Sequence, residues 1–172
     1  MRPWTDVAVL TRTRNLKGGF AVKATAGLPF SLFEGCEVRF VPPQTDTPRA
    51  ARVERVDERD DGTAYAVFSG IEDIAVAKRL VGCHCLVKRA DIPADDFEHA
   101  PGTWRGWRVV DARFGEVGTI ADFVEGPQQD LLEVARPDGS TALVPVVDAF
   151  IAAVDVDART VETTLPDGLL DL

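Results

Sequence analysis

Long apolar runs are missing from this chain. Charges interrupt every hydrophobic stretch well before the length needed to span a bilayer, which excludes a transmembrane helix. The opening residues, Met1-Arg2-Pro3-Trp4-Thr5-Asp6, lack the apolar core of a signal peptide. Cysteine is scarce: three in 172 residues, an odd number that suits a reducing compartment better than a disulfide framework. The chain has two histidines, His84 and His99, and apart from the cysteines flanking His84 neither has an obvious nucleophile nearby in sequence. No Gly-x-Ser-x-Gly elbow, no strong internal repeat and no low-complexity tract occurs. These absences lead to the expectation of a soluble cytoplasmic protein that is not an enzyme, with no cofactor and no membrane association.

What is present is a globular composition, 45% hydrophobic, with an uneven charge. The net charge of −9 argues against a non-specific nucleic-acid binder, since phosphate would repel it. The balance is not uniform along the chain. Residues 1–92 hold 14 Lys+Arg against 12 Asp+Glu, a net of +2. Residues 93–172 hold 5 against 16, a net of −11. That division predicts two modules with different partners, one tolerant of phosphate and one suited to a basic surface.

Period-2 alternation dominates the first half. Cys36, Val38 and Phe40 alternate with Glu37 and Arg39, Phe20 and Val22 with Ala21 and Lys23, and Ala64, Ala66 and Phe68 with their neighbours. These read as half-buried strands. One segment breaks the pattern: Ile71, Ile74, Ala75, Lys78 and Val81 recur at helical spacing, which predicts a helix over about 71–81. Glu72 and Asp73 would then occupy its first turn, Lys78 and Arg79 its last, and Gly82 its stop. Residues 93–103, with Pro93, Pro101, Gly102 and several carboxylates, read as a linker. Beyond it, strands are expected at Trp107–Ala112, Val117–Val124, Leu131–Arg136, Thr141–Val146 and Thr160–Leu165, close enough together for a small closed barrel.

Three clusters carry candidate chemistry. Cys83-His84-Cys85 could offer metal ligands, but a strand would turn the cysteines to one side and the histidine to the other, so core packing is expected and no metal. Arg12-Thr13-Arg14-Asn15-Leu16-Lys17-Gly18-Gly19 sets three cations and two glycines at a turn, where Arg forks and backbone amides can meet phosphate. Trp104-Arg105-Gly106-Trp107 opens the second module. Trp107, in phase with Val109, reads as core, while Trp104 stays open between core and a ring that an interface could use.

Taken in order, these segments resemble the RimM family of bacterial ribosome maturation factors. The family's aliphatic-basic-Gly turn is present as Leu16-Lys17-Gly18, with Arg14-Asn15 where the family has His-Gly. Phe68-Ser69-Gly70-Ile71 leads into the Ala-rich segment, Gly82 follows, and Leu86-Val87-Lys88-Arg89 closes the first module. The second module looks like a PRC-barrel, opening at Gly106-Trp107-Arg108-Val109-Val110-Asp111 and turning at Gly115-Glu116-Val117-Gly118-Thr119-Ile120. Leu143-Val144-Pro145 and the Pro166-Asp167-Gly168-Leu169-Leu170 tail follow. The family's aromatic pair falls on His99 and Ala100.

The resemblance implies an all-β protein with one short helix: a six-stranded barrel-like domain at 1–92, a linker at 93–103 and a PRC-barrel at 104–172. It implies assistance to assembly of the head of the small ribosomal subunit and to rRNA processing, by binding and without catalysis. The expected partners are ribosomal protein uS19 and the immature small subunit with its rRNA, met by a monomer. Arg12, Arg14, Lys17 and Gly18 are the expected rRNA-binding residues, and His99, Trp104 and Arg105 the expected protein-binding ones. The alternative reading is a ribosome-independent PRC-barrel adaptor or scaffold. A β-barrel hydrolase using His84 or His99 is a third.

Overall fold

The computed structural model describes residues 3–171. They form two compact units, one of residues 3–25 and 29–94, the other of residues 26–28 and 95–171.

The first unit is a closed barrel of six strands, β1 (Trp4–Thr13), β2 (Phe20–Ala24), β3 (Glu37–Val41), β4 (Ala50–Glu58), β5 (Thr63–Phe68) and β6 (His84–Lys88). They follow the order β1-β2-β5-β4-β3-β6, with every neighbouring pair antiparallel and β6 returning to β1. Closure removes free edges, so the strands can be short. The expected alternation is present in β5, where Ala64, Ala66 and Phe68 are buried and Thr63, Tyr65 and Val67 half-buried. Inside, Phe68 meets Phe20 and Phe40 edge-on, with ring centroids 5.7 and 5.3 Å away. Fully burying one such ring contributes about 1.5–3 kcal/mol. β1 departs from strict alternation between Leu10 and Arg12. The irregularity pairs Arg12 with Ala21 and leaves Thr11 donating its hydroxyl to the Ala21 carbonyl (3.0 Å). Such a bulge re-aims the side chains beyond it.

The helix, α1 (Ile74–Leu80), is shorter than the spacing predicts. Asp73 is not in its first turn: it is the N-cap, and its carboxylate accepts a hydrogen bond from the Ala75 N–H (2.7 Å). Glu72 lies before the cap. The cap also changes the phase of the stripe. Ala77 and Leu80 are the buried helical residues, and Ile71 is buried ahead of the helix. Ala75 and Lys78 are exposed and Val81 is the C-cap, so the apolar face runs at i, i+3 from Ile74. Lys78 and Arg79 do occupy the last turn, and Gly82 follows with φ +88°.

A short helix, α2 (Ala94–Glu98), starts on the last residue of the first unit, and the second unit contains a 3-10 turn (Pro101–Thr103) and six strands. The strands are β7 (Arg108–Asp111), β8 (Gly115–Val124), β9 (Leu131–Ala135), β10 (Thr141–Pro145), β11 (Ile151–Asp155) and β12 (Thr160–Thr163). Five lie where alternation placed them. β11 was not expected: Ile151 and Val154 are half-buried, Ala152, Ala153 and Asp155 exposed, and no residue of it is fully enclosed. The hydrogen-bonded order is β10-β9-β8-β7-β12-β11, with β7 and β12 parallel. One core fills this sheet: Trp104, Trp107, Val109, Val117, Ile120, Leu132, Val134, Val144, Val161 and Leu165.

Candidate functional site

The turn between β1 and β2 is built around one side chain. The Asn15 carbonyl oxygen accepts from the N–H groups of Lys17 (3.0 Å) and Gly19 (3.1 Å), and its amide donates to the Tyr65 hydroxyl (2.7 Å). Arg14 N–H donates to the Gly19 carbonyl (2.8 Å) to close the loop. Gly18 sits at φ +83°, and a Cβ there would fall 2.2 Å from the Ile71 carbonyl oxygen. Gly18 has a steric role in the fold: it lets the loop lie against the segment entering α1.

Bracing the loop from below leaves its other side chains outward. Arg12, Arg14 and Lys17 are exposed, and Leu16 at the tip is 80% exposed. None of the three cations forms an ion pair among the described residues. Beside the loop lies a cleft of about 380 Å³ lined by Arg12, Arg14, Lys23, Arg59, Asp61 and Tyr65, among others. Lys23, Arg59 and Tyr65 were not among the residues expected from sequence. Lys23 was detectable as the outward phase of β2, opposite Phe20 and Val22. Arg59 and Tyr65 reach the cleft only through strand pairing.

The Cys-His-Cys cluster divides as its strand geometry predicts. Cys83 and Cys85 are buried, while His84 faces out and its Nδ1 lies 2.7 Å from an Asp6 carboxylate oxygen. The other Asp6 oxygen accepts from the Thr25 hydroxyl (2.8 Å), so this pair joins β1, β6 and the end of β2. Burial pushes the thiols of Cys36, Cys83 and Cys85 upward, which keeps them protonated and unreactive at neutral pH.

In the second unit, His99 and Arg105 are exposed. Trp104 is not available as a surface ring: it is 3% exposed and stacks on Trp107, centroids 6.2 Å apart. The turn explains its placement. Gly106 N–H donates to the Ile120 carbonyl (2.8 Å) and Trp107 N–H to the Trp104 carbonyl (2.9 Å), folding both indoles into one core. Ala100 is likewise buried. The exposed apolar residues of this unit lie elsewhere: Phe114 at 47%, Leu143 at 50% and Val124 at 39%. Phe114 borders a hollow of about 390 Å³ shared with Glu116, Asp167, Leu170 and Asp171. Short sequence patterns gave no sign of it, because its walls come from the β7–β8 turn and the C-terminal turn.

Comparison with known proteins finds relatives over the whole chain and a family model within the second unit. The family model described as the RimM PRC barrel domain matches residues 101–169. Ribosome maturation factor RimM of Nitratidesulfovibrio vulgaris is 30% identical over 169 residues, covering 97% of this chain and 94% of that protein. The protein of the same name from Oleidesulfovibrio alaskensis is 28% identical over 175 residues, covering 100% and 97%. That of Porphyromonas gingivalis is 29% identical over 167 residues, covering 96% and 95%.

Proposed function

The chain belongs to the RimM family of ribosome maturation factors, and from that membership we propose that it assists assembly of the small ribosomal subunit head and processing of 16S rRNA. It works by binding, with no bond chemistry. A factor that binds a correctly forming intermediate more tightly than its competitors raises that population by mass action. On this reading the protein is a cytoplasmic monomer in two domains, and its partners are immature small subunits and ribosomal protein uS19.

The observation that supports this most directly is the braced cationic loop. Asn15, Gly18 and Gly19 fix its backbone from within, so Arg12, Arg14 and Lys17 are displayed without being used by the fold. Charges held outward on a preformed loop reach phosphate at little ordering cost. The acidic second half complements this. Its net of −11 suits a basic ribosomal protein, and Arg105 and His99 lie exposed on it with the Phe114 hollow.

Reversing Arg12, Arg14 and Lys17 to Glu is expected to weaken attachment to immature small subunits by about tenfold or more. Binding to free uS19 should be unchanged. Co-sedimentation and a direct uS19 titration read the two separately; unaltered attachment would overturn the assignment of the loop. The adaptor alternative predicts that the unmodified protein does not travel with immature subunits at all.

A further inference from the structure

The cationic loop is one end of a longer track. Strand register sets Arg12, Ala21 and Tyr65 in one row across β1, β2 and β5, and Lys23 with Thr63 in the next. Arg59 N–H donates to the Thr63 carbonyl (2.9 Å), which brings Arg59 beside the second row. Positions two residues apart on a strand are about 7 Å apart, so the rows step along the barrel wall at that interval. Between the longer side chains, Ala21 and Thr63 leave open the cleft of about 380 Å³.

Four cations line this cleft against one carboxylate, Asp61. That carboxylate is committed to its own turn: one oxygen accepts from the Thr63 N–H (3.0 Å) and from the Thr63 hydroxyl. The Thr63 hydroxyl bond, followed by its N–H, holds the Asp61 carboxyl below its ordinary range. Arg12, Arg14 and Arg59 against Asp61 give the cleft a net of +2 before Lys23 is counted, in a half-chain whose whole balance is +2. The remainder of the first half, Lys23 included, sums to zero, so its positive excess is gathered on one part of one face.

We propose that this cleft seats the sugar–phosphate backbone of a single-stranded RNA segment, with Arg12 and Arg14 at one end and Lys23 and Arg59 at the other. The inference rests on the reading of the loop as RNA-facing and adds the path the strand takes across the barrel. The volume suits about one or two nucleotides and not a duplex. A row of cations over a short-residue floor tracks a backbone and leaves base identity unread. Tyr65, tied to Asn15, couples the wall of the cleft to the loop that begins it.

The test uses the full chain and a short labelled oligouridine as probe. Lys23→Glu with Arg59→Glu, leaving Arg12 and Arg14 in place, is expected to weaken binding about tenfold. It should also make the log–log salt dependence shallower by about 1.4, at about 0.7 per phosphate contact. Lys23→Gln with Arg59→Gln should fall between, and both variants should bind uS19 as the parent does, which reports an intact fold. Unchanged affinity and slope would overturn the proposal. So would equal binding of a duplex of the same length, or full displacement by inorganic phosphate at the concentration of oligouridine phosphate. If Arg12→Glu with Arg14→Glu weakens binding while the Lys23 and Arg59 variants leave affinity and slope unchanged, the path across the barrel fails and the loop assignment stands. If neither pair matters, both fail.

Discussion

The two units solve the problem of a small β core in different ways. The first closes its sheet by hydrogen bonds, all antiparallel, around phenylalanine rings, and its core is apolar. The second leaves β10 and β11 at the two ends of its ladder, includes a parallel pair, and buries a carboxylate. Among the described residues the buried polar side chains, Asp111, Thr160 and Thr163, all belong to this second unit. The difference has a structural reason. A parallel β7–β12 pair cannot be joined by a tight turn, so something else must hold the strand ends together. Asp111 does this. One of its oxygens accepts from the N–H groups of Arg113 (2.8 Å) and Phe114 (3.1 Å), the other from Leu165 N–H (2.7 Å) and the Thr163 hydroxyl (3.1 Å). The unit that closes its sheet keeps an apolar interior; the unit that does not carries a polar clasp inside.

The largest expected effect tests the core of the second unit. Trp104→Ala removes a buried indole stacked on Trp107 and should cost about 3–5 kcal/mol in denaturant unfolding. An indole acting mainly at an interface would instead leave stability within about 0.5 kcal/mol. Hydrogen exchange sharpens the contrast: loss of protection confined to β7–β12 would show that the two cores are energetically separate.

The clasp gives the next largest effect and a pH signature. Burial by itself would raise the Asp111 carboxyl, but hydrogen bonds from Arg113, Leu165, Phe114 and Thr163 together outweigh it and hold the group below the ordinary carboxylate range. A depressed folded-state value means the contribution is complete above the unfolded value, about 4. It is lost as pH falls from there through the folded value. Asp111→Asn presents an amide to two of the four donors, and should cost about 2–3 kcal/mol at neutral pH. Unfolding followed from pH 7 to pH 2 should then show a flatter acid limb than the parent. An equal acid limb in both would mean that the charge is not what holds the strand ends.

Much of this fold was legible because period-2 burial is strong wherever one face of a strand is enclosed. β2, β3, β5, β7, β8, β9, β10 and β12 followed from that alone, and the cationic turn from Arg12, Arg14, Lys17 and the paired glycines. What failed to appear did so for local reasons. β11 has no enclosed face and so no alternation. Asp73 leaves the helix to cap it, which shifts the buried stripe to Ala77 and Leu80. Trp104, open between core and interface from sequence, is core because a tight turn at Gly106, φ +84°, folds it inward. Lys23 and Arg59 meet the loop through register across β1, β2, β4 and β5, which no short window contains.

The smallest expected effect concerns two exposed apolar residues, one on each unit, and decides whether the units divide their partners. Leu16 stands 80% exposed between Arg14 and Lys17, and Phe114 stands 47% exposed beside Glu116 and Asp167. Neither is needed by a core, so Leu16→Ala and Phe114→Ala should each change stability by less than about 0.5 kcal/mol. Their binding effects should separate. Leu16→Ala should weaken attachment to immature subunits about three- to tenfold and leave uS19 binding alone, because an apolar tip amid cations contacts what the cations contact. Phe114→Ala should do the reverse, because an aromatic beside carboxylates suits a basic protein chain. Paired titrations of both variants against both partners measure this directly. If each variant weakens both interactions equally, partner choice is not partitioned between the units, and the charge difference between the two halves reflects solubility and not recognition.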